Sequence, residues 1–209
     1  MNFLRVFVMA LMALIGVNLW WRWASRRQSL PCPSWLAWAL EHPLMDRLIG
    51  TTTTLDRLES RPGQRILEIG PGPGRLLIPA AERVLPGGAV VGLEIQAKML
   101  ERLTARARQR GISNLTAEHG DATQPVFAPD SFGLVYLCTV LGEILDREAA
   151  LQQCYAALKP GGMLSITEIF PDPHFQPRAT VIRLTEEAGF RLKAIHGQWY
   201  FFTANFVKV

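Results

Sequence analysis

Cysteine is scarce in this chain. Cys32, Cys138 and Cys154 are the full complement, odd in number and nowhere in a C-x-x-C pair. A disulfide framework or a zinc site needs paired or closely spaced sets, so neither is expected, and no metal is assigned; a reducing compartment fits. Charge is scarce as well, at 19% of residues against 49% hydrophobic, which excludes a disordered chain. The formal net charge of +4 is small, and its excess gathers beside an N-terminal apolar run, not along a basic stripe. Nucleic acid is therefore not an expected partner, and anionic lipid head groups are the better counterpart. Repeats and low-complexity tracts are absent.

Long hydrophobic runs are few, but one stands out. Phe3 to Trp21 is apolar except for Arg5, Gly16 and Asn18, about the length a helix needs to cross a hydrocarbon layer of roughly 30 Å. A cleavable signal lacks its small-x-small site, since Asn18-Leu19-Trp20-Trp21-Arg22-Trp23 follows. A buried soluble helix would rarely end in tryptophans interleaved with arginines, whereas membrane boundaries collect both. The reading is a membrane anchor over residues 1–28. Arg22, Arg26 and Arg27 then predict that the rest of the protein faces the cytoplasm. Whether the helix spans the bilayer or lies in its interface is open at this stage.

Residues 29–63 read as a proline-bearing linker and a helical lead-in, with Pro43 as a break and Thr51 to Thr54 as a possible cap. From residue 64 to 209, short β-rich runs alternate with amphipathic stretches, the pattern of βα units around a mostly parallel sheet. The spacing predicts strands over Arg65 to Ile69, Ala89 to Ile95, Leu115 to His119, Gly133 to Cys138, Met163 to Glu168, Arg191 to Gly197 and Phe201 to Val209. Helices are predicted over Leu76 to Val84, Ala97 to Arg110, Asp146 to Leu158 and Pro177 to Ala188.

The first strand runs into Ile66-Leu67-Glu68-Ile69-Gly70-Pro71-Gly72-Pro73-Gly74-Arg75. Alternate glycines bare the backbone so that a ligand can lie against it. The dinucleotide fingerprint G-x-G-x-x-G is missing, because Arg75 and Leu77 occupy the positions it requires. Ligands of open α/β sheets bind beyond the carboxyl ends of the strands. There this chain carries Glu68, Glu94, Asp121, Leu141 to Glu143 and Glu168 to His174, an acid at each place where packing alone would not favour one.

With these residues in order, residues 64–209 resemble the class I S-adenosylmethionine-dependent methyltransferases. The resemblance implies an α/β, Rossmann-like, doubly wound and mostly parallel seven-stranded sheet with an antiparallel last strand, here preceded by the N-terminal membrane helix. It implies S-adenosyl-L-methionine as cofactor and S-adenosyl-L-homocysteine as product. Glu68, Gly70, Gly72 and Gly74 would surround the methionine part, Glu94 with Ile95 the ribose, and Asp121 with Ala122 the adenine. Asp130-Ser131-Phe132-Gly133-Leu134-Val135 and Leu158-Lys159-Pro160-Gly161-Gly162 resemble the family's segments at the fourth and fifth strands. The N-P-P-aromatic motif of nucleic-acid methylation does not appear; Leu141-Gly142-Glu143-Ile144 stands there instead.

Methyl transfer from a sulfonium needs mainly alignment, and a base only when the acceptor must shed a proton. Glu143, Glu168 and His174 are the candidates for that role. His42, Glu143 and Tyr200 are candidates to contact the acceptor. An enzyme held at a bilayer gains local concentration for lipophilic substrates, so the expected acceptor is a lipophilic small molecule or lipid head group. The amine of a phospholipid is slightly favoured because Glu143 and Glu168 would attract a cation; a quinone precursor or a small thiol or phenol is the alternative. A membrane-tethered protein that binds the cofactor without turnover is the reading of another class.

Overall fold

The computed structural model describes residues 3–25, 31–36, 50–170 and 172–209. It begins with helix α1 (Phe3–Ser25), a 3-10 turn (Ser34–Leu36) and helix α2 (Thr51–Arg57). Strands and helices then alternate: β1 (Arg65–Ile69), α3 (Leu77–Arg83), β2 (Ala89–Glu94), α4 (Ala97–Gln109), β3 (Leu115–His119), β4 (Phe132–Cys138), α5 (Arg147–Ala157), β5 (Leu158–Ile169), α6 (Arg178–Glu187), β6 (Phe190–Gln198) and β7 (Phe201–Lys208). The seven strands form one sheet in the order β3-β2-β1-β4-β5-β7-β6. All pairings from β3 to β5 are parallel, and β7 runs antiparallel to both of its neighbours, as expected for the last strand.

The central strands are buried on both faces and read as continuous apolar runs, as parallel strands between helical layers do. Two apolar clusters form the core. Ile66, Leu77, Leu103, Leu134 and Tyr136 belong to one, and Leu67, Val135, Leu151, Leu164 and Phe206 to the other. Successive residues of β1 thus enter opposite clusters, which is the period-two alternation of a strand.

Three local readings differ from expectation. Thr51 to Thr54 form the body of α2 itself, and Gly50 at its N-cap takes the left-handed conformation with φ 66°. The turn expected at Lys159 to Gly162 is absorbed into β5, where the register against β4 shifts between Phe132 and Leu134. The shift lets four mostly exposed residues bulge before the core pairing of Leu134 with Met163 begins. Pro43 and the rest of the lead-in between 37 and 49 lie outside the described residues.

Helix α2 is fastened to the sheet by buried polar groups. Asn205, fully buried on β7, donates through Nδ2 to the Arg57 carbonyl at 2.8 Å. Its Oδ1 accepts from the Ser165 hydroxyl at 2.7 Å. Thr167 and Thr203 pair one step along at 2.9 Å. Replacing Asn205 by alanine strands a buried hydroxyl and a helix-terminal carbonyl, so Asn205→Ala should destabilise the fold by about 2–4 kcal/mol in urea unfolding.

Candidate functional site

A cavity of about 910 Å³ opens at the carboxyl ends of the parallel strands, at the upper end of the range for small-molecule sites. It crosses the point between β1 and β4 where strand order reverses, the place where α/β sheets bind ligands. Its walls run from β3 to β5, four strand intervals of about 4.8 Å, or roughly 19 Å.

On the β1 side the glycine loop forms the wall. Gly70, Gly72 and Gly74 all take left-handed φ values of 67°, 53° and 84°, but their roles differ. Gly70 lets the loop pass Val140, whose Cγ2 would stand 2.6 Å from a Cβ. Gly72 lines the cavity and faces open space, with nothing within 4 Å of a built Cβ. Gly74 does not line the cavity; a Cβ there would meet Leu103 Cδ1 at 2.3 Å. Gly74, expected to contact the cofactor, stands behind the wall, and its lack of a side chain lets the loop pack onto α4.

Glu94 closes the loop from the next strand. Its Oε2 accepts the Gly72 N–H at 3.1 Å and its Oε1 the Gln96 N–H at 2.9 Å. Burial raises its pKa, and the backbone N–H groups of Gln96, Gly72 and Ile95 counter the rise by favouring the carboxylate. The two oxygens retain acceptor capacity beyond these backbone bonds, as two vicinal hydroxyls require. Ile95, Asp121 and Ala122 line the same end of the cavity. Asp121 Oδ1 accepts the Thr123 N–H at 2.9 Å, with acceptor capacity left over. The hydrogen-bond acceptors fit an adenosyl group: carboxylates for hydroxyls and amine, and a loop bare of side chains for the chain beyond.

Glu68 also lines the cavity. It is buried, accepts the Tyr136 hydroxyl at 2.7 Å, and is pushed up to about 8 by burial, against the opposing pull of that bond and of Arg75. Arg75 is held by Thr51 at 2.7 Å and lies against Cys138.

The β4–β5 side has a different character. Thr139 lines it with φ 58°, a conformation that costs a β-branched residue of order 1–3 kcal/mol and that collects at functional sites. Glu143 lines it too, and its carboxyl accepts the backbone N–H of Cys32. Burial, then the neighbouring Asp172, push Glu143 up to about 8. Asp172, also in the wall, is pushed up to about 6 by burial. The Cys32 carbonyl accepts from Gln96 Nε2 at 3.0 Å, so the linker segment Pro31–Cys32 straps the mouth from the β2 side to the β4 side. Burial, reinforced by Glu143, pushes the Cys32 thiol up to about 11.

Several expected site residues stand elsewhere. Glu168 is buried outside the cavity wall, where Oε2 accepts the Gln176 N–H at 2.9 Å; neighbours on a strand alternate in direction, and Ile169 takes the cavity side. Burial holds Glu168 well above the usual carboxylate range. His174 is buried outside the wall as well, with Nε2 accepting from the indole of Trp21 at 3.1 Å. Its role is to bracket α1 to the β5–α6 loop. Tyr200 sits on the exposed β6–β7 turn, stacked edge-on against Trp199 at 5.5 Å, and does not line the cavity. His42 lies outside the described residues. Asp172, Thr139 and Cys32 join the site without a sequence motif; for Asp172 the available signal is its place between two prolines, which hold a loop and its acid in one place.

A glycine loop and carboxylates at successive ends of a 3-2-1-4-5-7-6 sheet define the fold of class I S-adenosylmethionine-dependent methyltransferases. Residues 66–162 match the family described as methyltransferase domain. Nocamycin O-methyltransferase of Saccharothrix syringae is 36% identical over 119 residues, 57% of this chain and 42% of the relative. The ubiquinone/menaquinone biosynthesis C-methyltransferase UbiE of Vibrio vulnificus (strain YJ016) is 33% identical over 129 residues, 61% of this chain and 49% of the relative. The chain thus spans about half the length of the curated relatives it matches. The crystal structure of a SAM dependent methyltransferase from Aquifex aeolicus superposes with a TM-score of 0.79 at 18% identity, over 85% of this chain and 100% of that chain. S-adenosyl-L-methionine is the cofactor that goes with this class of domain.

The glycines give a paired test by urea unfolding and calorimetry with S-adenosylhomocysteine. Gly74→Ala should destabilise the fold by about 2–4 kcal/mol through strain and overpacking, with affinity held within a few-fold. Gly72→Ala meets no atom, so it should cost only about 1–2 kcal/mol of backbone strain. Its methyl enters the cavity and should weaken binding by about tenfold or more, or 1.4 kcal/mol and above.

Proposed function

We propose that this chain transfers a methyl group from S-adenosylmethionine to a lipophilic acceptor that reaches the cavity from a membrane. In this reading residues 1–28 form the anchor, residues 29–63 the linker and lead-in, and residues 64–209 the catalytic domain, which faces the cytoplasm. The β1–β3 side holds the cofactor through Glu68, Gly70, Gly72, Glu94, Ile95, Asp121 and Ala122. The β4–β5 side, with Glu143 and Asp172, receives the acceptor. The observation that carries the reading is this division of one cavity into two ends of different chemistry. Helix α1 supports the membrane route: its window Leu4–Ala24 has a mean hydropathy of 1.8 and 0% of it is buried against the protein.

The acceptor best matched to this pocket is an uncharged one that gives up a proton on methylation, such as a phenol, a quinol or an enolic carbon. A carboxyl pushed up to about 8 is mostly neutral at pH 7 and attracts an ammonium weakly. The same shift puts it near the operating pH, where a general base works best. Quinols therefore move ahead of the phospholipid amine that the sequence favoured. The names of the relatives, a C-methyltransferase of quinone biosynthesis and an O-methyltransferase, lie in the same direction. The cofactor supplies an electrophilic methyl with a good leaving group. The protein's work is to hold the acceptor in line, to keep water out with the Pro31–Cys32 strap, and to take the proton on the Glu143 carboxylate.

The test is formation of S-adenosylhomocysteine by the full chain in vesicles carrying either demethylmenaquinol or phosphatidylethanolamine. The carboxylate form of Glu143 grows as pH rises through its pKa of about 8, so kcat/KM with the quinol should climb between about pH 7 and 9 and level off above. Glu143→Gln should lower kcat by about 10²–10⁴ and abolish the climb, with cofactor affinity unchanged. Turnover with phosphatidylethanolamine alone would overturn the acceptor assignment. Cofactor binding with no turnover on any native membrane extract would favour the tethered binding protein instead.

A further inference from the structure

The β6–β7 hairpin turns through two residues, Trp199 and Tyr200, between the paired Gln198 and Phe201. Two-residue hairpin loops ordinarily use glycine, asparagine or aspartate, for conformational reasons. Here the tip carries two large aromatics, 63% and 48% exposed. Phe170, at the rim of the cavity and 45% exposed, joins them: its ring centroid is 5.7 Å from that of Trp199, and its N–H donates to the Tyr200 carbonyl at 2.7 Å. Three adjoining exposed aromatics at one mouth form a patch of the kind that marks an interaction surface.

The end of α1 identifies what covers the patch. Arg22 stands over the Phe170 ring at 5.3 Å and donates to the Asp172 carbonyl at 2.8 Å, while Trp21 bonds His174. Trp20 and Trp23 on the same turns are 61% and 54% exposed. If α1 enters a bilayer with these tryptophans at its boundary, Phe170 lies at head-group level, because a helix rises only about 1.5 Å per residue. Guanidinium groups flank the hairpin: Arg57 lies over the half-buried Phe201 at 4.5 Å, and Arg178 donates to the Gly197 carbonyl at 2.6 Å. Aromatic rings beside cations are the composition of a surface seated at an anionic membrane interface.

We infer that Trp199, Tyr200 and Phe170 form a second, interfacial membrane contact that seats the cavity mouth on the bilayer beside the end of α1. The domain does not hang on its anchor as on a tether; the hairpin tip holds it at a fixed tilt, so that a lipophilic acceptor passes from the head-group region into the cavity without crossing water. The inference rests on the reading of α1 as a membrane helix and adds a contact that the helix alone does not require.

Spin labels on the full chain test it, placed singly at Tyr200→Cys, Trp199→Cys, Leu11→Cys and Glu118→Cys in a Cys32→Ser background. The probe is a vesicle of phosphatidylcholine and phosphatidylglycerol, read by collision with oxygen against a nickel chelate. Leu11 reports the anchor, and Glu118, exposed on the opposite edge strand β3, reports water. Labels at 199 and 200 should show an oxygen-to-nickel ratio several-fold above that at 118 and below that at 11. Ratios at 199 and 200 equal to that at 118, with 11 in lipid, would overturn the seating and leave the anchor intact. A ratio at 11 equal to that at 118 would overturn both. Labels at 199 and 200 shielded from both reagents would assign the patch to a protein partner or a second copy, and would also overturn the seating.

Discussion

One carboxylate sets the geometry of the site. Glu94 takes the Gly72 N–H from the loop after β1 and the Gln96 N–H at the start of α4, so the two loops that would flank an adenosyl group are held by the same side chain. Gln96 then reaches with its own amide to the Cys32 carbonyl, and the Cys32 N–H reaches Glu143. A continuous chain of polar contacts thus runs from β2 through the linker to the end of β4. A buried carboxylate without those N–H donors would cost several kcal/mol or protonate. With them it remains an acceptor poised for hydroxyls, and the loops keep their spacing.

Helix α1 and the pocket are joined in the same way. Trp21 and Arg22 at the end of α1 grip His174, Phe170 and the Asp172 carbonyl, all on the loop that follows β5. That loop supplies Asp172 to the β4–β5 side of the cavity. Among the described residues, the segment from α1 to the sheet therefore meets the pocket through the helix end and through the Pro31–Cys32 strap. Helix α1 and the site share parts, so under the proposed membrane route the depth of α1 in a bilayer would set the height of the cavity mouth.

Much of this was legible in the sequence, for identifiable reasons. The strands of a parallel sheet are short apolar runs, and punctuation by glycine and proline bounded β1 and β3 to the residue. Glu94 and Asp121 were legible because an acid at a strand end has no packing reason to be there. Residues whose direction depends on a single step of the strand were not legible: Glu168 and Ile169 are neighbours, and only the fold decides which one lines the cavity. Gly74 was grouped with Gly70 and Gly72 by spacing, yet its need is the approach of Leu103 on α4, a contact remote in sequence. His174 looked like a base in a loop, but a tryptophan 153 residues away claims its ring nitrogen. Such long-range partners leave no periodic signal. The strain at Thr139 and the strap at Cys32 were invisible for the same reason.

The central claim is that a cradle built on Glu94 delivers methyl groups to an acceptor arriving from the bilayer. The most direct measurement follows the methyl itself: the full chain, reconstituted with native membrane lipids, is supplied with S-adenosylmethionine carrying a carbon-13 methyl, and both phases are analysed by mass spectrometry. The account predicts the label in an organic-extractable product, with one S-adenosylhomocysteine released for each methyl transferred. Label confined to water-soluble products would contradict it.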